Sequence, residues 1–352
     1  MQIYTELILG KTDPGLKEPE KKYDIGRATS DAALAEKLGF DGIVATDTKD
    51  DPFMLMTLAA EATETIALAT SVAIAFPRAP SVTAQTAWSL QKLSRGRFTL
   101  GLGSQVKAHI VRRFGLDFSP MGTWMRDYVG AVRAIWDCWQ NGADLNYVSD
   151  RYKLNLMVPL FNPGPMDFDA PPIHIAAVNP IMCRIAGEVG DGLRPHPMCT
   201  PRYIKEVMLP AAEEGQARTG RSGTKIETAM KPLVATAATE EVLERRIADV
   251  RARVAFYAST PAYRRCFDIW GLGDLADHLS TLSRNQKWDE MPGLVDDEML
   301  NTFAVVGSYE DVAAKLVERF SGVLDQVGFS IEVDNEEDAA TLTSMVREVQ
   351  AG

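Results

Sequence analysis

The strongest constraint on this chain is its rhythm. Short apolar strands alternate with amphipathic helices along nearly its whole length, the pattern of parallel βαβ units. "IYTELILG" (3–10) reads as strand one, and a helix over 25–38 stops at Gly39, a C-terminal glycine signal. "FDGIVATD" is strand two, and Asp51 with Pro52 behind it opens the next helix. "IALATSVAI" is strand three, with "PSVTAQTAWSLQKL" as its helix, and "SRGRFTLGLGSQVKAH" holds strand four. A long helix over 123–140 leads into an irregular stretch through "FNPGPMDFDAPP". The beat resumes with "IHIAAV" as strand five, a helix to Val189, and "DGLRPHP" as strand six. Thr200 and Pro201 open another helix, and "IETAMKPLVAT" is strand seven. From Thr239 to Val305 the rhythm breaks into helical segments, before strand eight, "QVGFSIEV", and a last helix from Glu336. Eight strands, nearly all followed by a helix, predict an α/β fold: a (β/α)8 TIM barrel forming one domain over 1–352, with a helical insertion over 239–305 between strands seven and eight. An open, doubly wound sheet would alternate in much the same way.

Strand four ends in Gly101, Leu102 and Gly103, which invites comparison with a dinucleotide-binding fingerprint. Val106 stands where the third glycine should be, and the strand comes fourth rather than first. The fingerprint fails. In a barrel the same glycines admit a ligand or a neighbouring backbone at an inward-facing strand end.

Composition narrows the partners. Of the 352 residues, 46% are hydrophobic, enough for a sizeable core, and 37 basic against 48 acidic side chains give a formal charge of −11. Without a basic block, no nucleic-acid partner is expected. Cys138, Cys183, Cys199 and Cys266 are scattered without metal-ligand spacing, so they read as buried cytosolic thiols, and no metal site is expected. The first residues lack a basic region and turn polar at Lys11, unlike a signal peptide, and no apolar run is long enough to span a bilayer. A cytoplasmic protein without a membrane partner is expected.

The working face of such a barrel lies at the C-terminal strand ends. Those ends offer Asp47 and Thr48 after strand two, Ser71 and Val72 in strand three, Gln105 and His109 after strand four, Asn179 after strand five, and His196 after strand six. His174 begins a strand and His278 lies in an amphipathic helix, so both read as structural. Val178 and Asn179 stop strand five where Pro180 starts a helix, a place where unpaired N–H groups and the helix dipole suit a phosphate. An ordinary asparagine cap accounts for the same residues. His196, flanked by prolines in "RPHP", could donate to an anion or shuttle protons near neutral pH; packing in a loop is the plainer alternative. Asp47 could bind a ring amide or act as an acid/base group, or simply be an exposed acid. Trp124, Trp136 and Trp139 invite a flavin-stacking role, but the spacing of the last two puts them on one helix face, which fits core packing.

The segment "IALATSVAIAFPRAPSVTAQTAWSLQKLSRGRFTLGLGSQ", together with "AAVNP" and "GDGLRPHP", resembles the bacterial luciferase-like monooxygenase superfamily, in its coenzyme F420-dependent oxidoreductase branch. The likeness extends through "VRARVAFYASTPAYRRCFDIWG" and "RNQKWDEMP". It implies the barrel with its insertion and a deazaflavin coenzyme, F420, from or to which a hydride passes. Ser71 and Val72 would form a cis peptide behind the tricyclic ring, and Asp47 would touch the ring's polar edge. Gln105 and His109 would lie along the cofactor, with His109 at the ribityl chain. Ala177, Val178 and Asn179 would give backbone N–H groups to the phosphate. Asp47, Thr48 and His196 are the catalytic candidates. Several dehydrogenases of this type carry histidine where Thr48 stands, and a threonine is no general base at neutral pH, which speaks against sugar-phosphate dehydrogenation.

The substrate is expected to be a small, apolar organic molecule, given Phe256, Tyr257 and Trp270 in the insertion. The alternative cofactor is FMN, with reduced flavin and O2 serving a monooxygenase that would need a flavin reductase as partner. A non-catalytic flavin-binding barrel is a further alternative. The resemblance also implies a homodimer.

Overall fold

A computed structural model describes residues 1–10 and 24–352. Lys11, where the sequence turns polar, lies outside the described residues. Eight parallel strands form the centre: β1 (Gln2–Glu6), β2 (Gly42–Ala45), β3 (Ala67–Thr70), β4 (Phe98–Gly103), β5 (Ile173–Ala177), β6 (Gly192–Pro195), β7 (Glu227–Met230) and β8 (Gln326–Gly328). Each pairs with the next, and the ring closes where β1 sets Ile3 beside Val327 of β8. An open sheet is excluded, because no strand of the ring is left at an edge.

Alternation along each strand decides what faces where. One set of positions points out to the helices and is apolar: Ile3, Ile43, Leu68, Leu100, Ile175, Leu193 and Val327 are all buried. The surrounding helices supply the other half of that core. Pro52–Ala62 starts on the Asp51 cap, whose carboxylate accepts from Phe53 N–H at 2.8 Å. Met121–Asn141 buries Trp124, Trp136 and Trp139, so these rings belong to the core. All four cysteines are free and buried.

Several strand boundaries move. The segment read as one seventh strand is divided at Lys231–Pro232, where proline has no N–H for a ladder. Its second half, Leu233–Ala237, leaves the barrel and pairs in parallel with Ala304–Ser308. The helices between Glu240 and Phe303 therefore stand on a small two-stranded base. Strands one and eight are also shorter than expected. The Ser71–Val72 peptide is cis, the geometry the resemblance implies, and a second non-proline cis bond joins Leu7 and Ile8.

Glu36, near the end of helix Ala28–Lys37, ties that helix to the turn before β3. Burial would raise its pKa, but its carboxylate accepts from the N–H groups of Glu64, Thr65 and Ile66, which hold it down at about 2. A depressed carboxylate stabilises the fold fully above its unfolded pKa and loses that contribution as pH falls through the folded value. Wild-type urea midpoints should thus decline between about pH 4.5 and about pH 2, and Glu36→Gln should flatten that decline. Parallel profiles for the two proteins would disprove it.

Candidate active site at the C-terminal rim

The inward-facing positions of the strands stack in layers. At the bottom, Gly42 and Gly192 make room for large rings: a Cβ on Gly42 would stand 2.0 Å from Tyr4, and one on Gly192 2.5 Å from His174. His174 is buried, which pushes its pKa down, and its Nε2 lies 3.4 Å from Glu227 Oε2. It is a structural histidine at the closed end. His278 is exposed on helix Gly273–Arg284.

The middle layer is small apart from Arg194, whose Nη1 donates to Ser71 Oγ at 3.1 Å. Here the glycines of "TLGLG" find their reason. A Cβ on Gly101 would be 1.9 Å from the Thr70 carbonyl oxygen, and one on Gly103 2.5 Å from Val72 Cγ2. The close neighbours are protein atoms, not a dinucleotide.

The top layer is polar. Glu6, at the end of β1, accepts from Lys231 Nζ at 2.9 Å and from Thr46 Oγ1 at 2.8 Å. Beside this network Asp47 is already engaged: its Oδ2 accepts from Ile74 N–H at 3.0 Å and from Arg78 Nη1 at 2.6 Å. Arg78 also bonds Asp51 at 2.9 Å, so the rim of β2 and the segment after β3 are clamped together. Oδ1 of Asp47 has no hydrogen bond among the described residues. Thr48 is exposed, with its hydroxyl 3.5 Å from that of Thr46.

Asn179 precedes helix Pro180–Val189 but does not cap it. Its Nδ2 instead donates to the Ala262 carbonyl at 3.3 Å, reaching into the insertion. Pro180 has no N–H, so the helix start presents the N–H groups of Asn179 and Ile181 without a side-chain acceptor from the cap. The plain asparagine cap is thereby ruled out. One residue beyond Ala262, Tyr263 stacks on His196 with centroids 4.1 Å apart, and Tyr257 meets the same imidazole edge-on at 4.7 Å. Walled in by these rings, His196 is pushed down to a pKa of about 3. It stays neutral in the working range of most enzymes, so the role of proton shuttle near neutral pH does not fit it. Its Nδ1 accepts from Met198 N–H at 3.3 Å, which leaves the proton on Nε2 as a donor.

The other candidates scatter. Gln105 sits in a left-handed conformation with φ of 59°, and His109 is exposed on the short helix Lys107–Arg112. Trp270 does not join the tyrosines; its Nε1 donates to Thr200 Oγ1 at 3.2 Å. Sequence reasoning passed over Glu6, Lys231, Arg78 and Arg194. Counting every second residue back from His196 reaches Arg194, and forward from Glu227 reaches Lys231, which would have placed both inside the barrel.

Residues 7–326 match the model of the luciferase-like monooxygenase family. The chain belongs to that family. A Mycobacterium tuberculosis protein described as uncharacterized is 42% identical over 303 residues, covering 86% of this chain and 89% of that one. The 5,10-methylenetetrahydromethanopterin reductase of Archaeoglobus fulgidus is 26% identical over 324 residues, covering 89% and 90%. Among solved structures, the coenzyme F420-dependent tetrahydromethanopterin reductase of Methanopyrus kandleri shares the fold with a TM-score of 0.74 at 21% identity, covering 99% and 98%. Family membership makes the chain one of a set of oxidoreductases. No helix among the described residues is long and apolar enough to cross a membrane.

Proposed function

We propose that this protein is a coenzyme F420-dependent oxidoreductase that passes a hydride between the deazaflavin and a small apolar substrate bearing a carbonyl or hydroxyl group. The uncapped helix start at Asn179, at the polar rim of the barrel, carries this reading. When bound, the deazaflavin supplies the redox chemistry through its C5. The chain's own residues hold and orient. Backbone N–H groups of Ala177, Val178 and Asn179 hold the phosphate, and Gln105 and His109 flank the tail. Ser71 and Val72 back the ring, and Asp47 Oδ1 accepts from its polar edge. His196 donates Nε2–H to the substrate oxygen, and Tyr257 and Tyr263 exclude water from that side. Thr48 can share a hydroxyl proton but cannot serve as a base.

Titration of the purified protein with oxidised F420 and with FMN, followed by fluorescence, tests this directly. Micromolar binding of F420 and weaker binding of FMN are expected. The reverse order would reject the deazaflavin and favour a monooxygenase using reduced FMN, O2 and a flavin reductase, a reading the family's name supports. Binding without turnover for any substrate would leave a cofactor-binding barrel.

A further inference from the structure

The backbone donors proposed at Asn179 depend on which way one peptide group faces. The Val178–Asn179 peptide is trans, so its C=O and N–H lie in one plane and point in opposite directions. The carbonyl oxygen accepts from the Tyr203 hydroxyl at 3.1 Å, and Cys183 Sγ lies 4.0 Å from the same oxygen. Tyr203 and Cys183 are both buried, so the C=O is turned into the core. The Asn179 N–H then faces the other way, toward the rim. It makes no hydrogen bond among the described residues.

Tyr203 is itself held in place. Its backbone N–H donates to Thr200 Oγ1 at 3.3 Å, the oxygen that also accepts from Trp270 Nε1 in the insertion. Directly after it the chain widens into a π-helical turn over Ile204–Met208, a rare irregularity that recurs at functional sites. Burial pushes the phenol well above its usual pKa, so at neutral pH the hydroxyl keeps its proton and stays a donor. A buried phenol needs an acceptor, and many carbonyls in a core would serve. The one it meets belongs to the peptide that carries the unpaired N–H. A hydrogen bond to that oxygen fixes the plane of the peptide and polarises its N–H into a stronger donor.

We infer that Tyr203 is a positioning residue of the phosphate site: without touching the coenzyme, its hydroxyl aims the Asn179 N–H at the phosphate through the carbonyl of the same peptide. This rests on the proposal that a phosphate is held at Asn179. Without the hydroxyl, the Val178 carbonyl keeps only the weak thiol contact, and a peptide that turns over sets its oxygen against the anion. The test compares F420 with the deazariboflavin that has the same ring and ribityl chain but no phosphate. Each is titrated against wild type, Tyr203→Phe, Asn179→Pro and the double variant, and each protein is melted without coenzyme. Asn179→Pro deletes the N–H outright, at a φ of −87° that lies near proline's own range. Wild type should bind F420 more tightly than the phosphate-free compound. Tyr203→Phe should cut that ratio by roughly tenfold or more, the contribution of one hydrogen bond to a charged group, and bind the phosphate-free compound as before. Asn179→Pro should lose at least as much, and the double variant no more than Asn179→Pro alone, because the hydroxyl acts only through that N–H. A hydroxyl that merely packs the core would lower the melting temperature and leave the ratio unchanged; that result overturns the inference and leaves the coenzyme reading standing. Should Tyr203→Phe not fold, Asn179→Pro decides. A lost ratio supports the inference, and an unchanged one refutes it, since Tyr203 would then have no donor to aim. Wild type that binds both compounds equally removes the phosphate site and the inference with it. Wild type that binds neither sinks the coenzyme reading itself.

Discussion

Gly101→Ala should destabilise the protein by about 3 kcal/mol or more, several degrees of melting temperature in a chain of this size. The added Cβ would stand 1.9 Å from the Thr70 carbonyl oxygen and 3.0 Å from Arg194 Nε. The first neighbour is backbone inside a closed ring, so no rotamer change relieves the overlap; β3 and β4 would have to separate. Their spacing is fixed here by reciprocal bonds, Thr70 Oγ1 to the Gly101 carbonyl at 2.7 Å and Gly101 N–H to Thr70 Oγ1 at 2.9 Å. Gly103→Ala makes the contrast. Its obstacle is Val72 Cγ2 at 2.5 Å, the end of a side chain that can turn, so stability should fall less while coenzyme affinity falls more. Thermal melts and coenzyme titrations of both variants give the comparison. A Gly101→Ala protein that melts within about a degree of wild type would show that the lumen is not packed as described.

Asp47→Ala should cost about 2 kcal/mol of stability and weaken coenzyme binding by at least roughly tenfold. Asp47 accepts from Ile74 N–H and from Arg78, with side-chain exposures of 12% for the acid and 22% for the arginine. Removing it leaves a partly buried amide without an acceptor and Arg78 with Asp51 as its remaining ion-pair partner. Asp47→Asn keeps an acceptor for the amide and should fall between. The clamp also fixes the segment that carries Val72, so binding should suffer beyond the loss of one contact. A double-mutant cycle with Arg78→Met separates the two effects: the substitutions should be strongly non-additive in stability. Additive losses would mean that the Asp47–Arg78 pair does not organise the rim.

Much of this fold is legible in the residues because its signals are local. Asp51 with Pro52, Thr200 with Pro201 and Asn335 before Glu336 all begin helices where capping chemistry says they should. The seventh strand was misjudged because "ETAMKPLVAT" is apolar on both sides of Pro232, and the chain's departure from the barrel there depends on a partner strand, Ala304–Ser308, far along the sequence. Asn179 shows the same limit at the site. Its position before a proline marks a helix start correctly, yet whether its amide caps that helix or reaches Ala262, 83 residues away, is not written in the neighbouring residues. His196 was visible as a rim histidine, but its neutrality comes from Tyr257 and Tyr263 on the insertion.

The sequence by itself determined eight parallel strands, the helices around them, and part of the set of side chains that reach the rim, because period-two and period-3.6 patterns and capping residues act within a few positions of each other. Only the tertiary structure decided which of those side chains meet. Ring closure sets the stagger between strands, and that stagger brings Arg194 to Ser71 across 123 residues and Lys231 to Glu6 across 225. No local pattern encodes such distances, so the charge within the lumen and the network at its mouth belong to the folded chain alone.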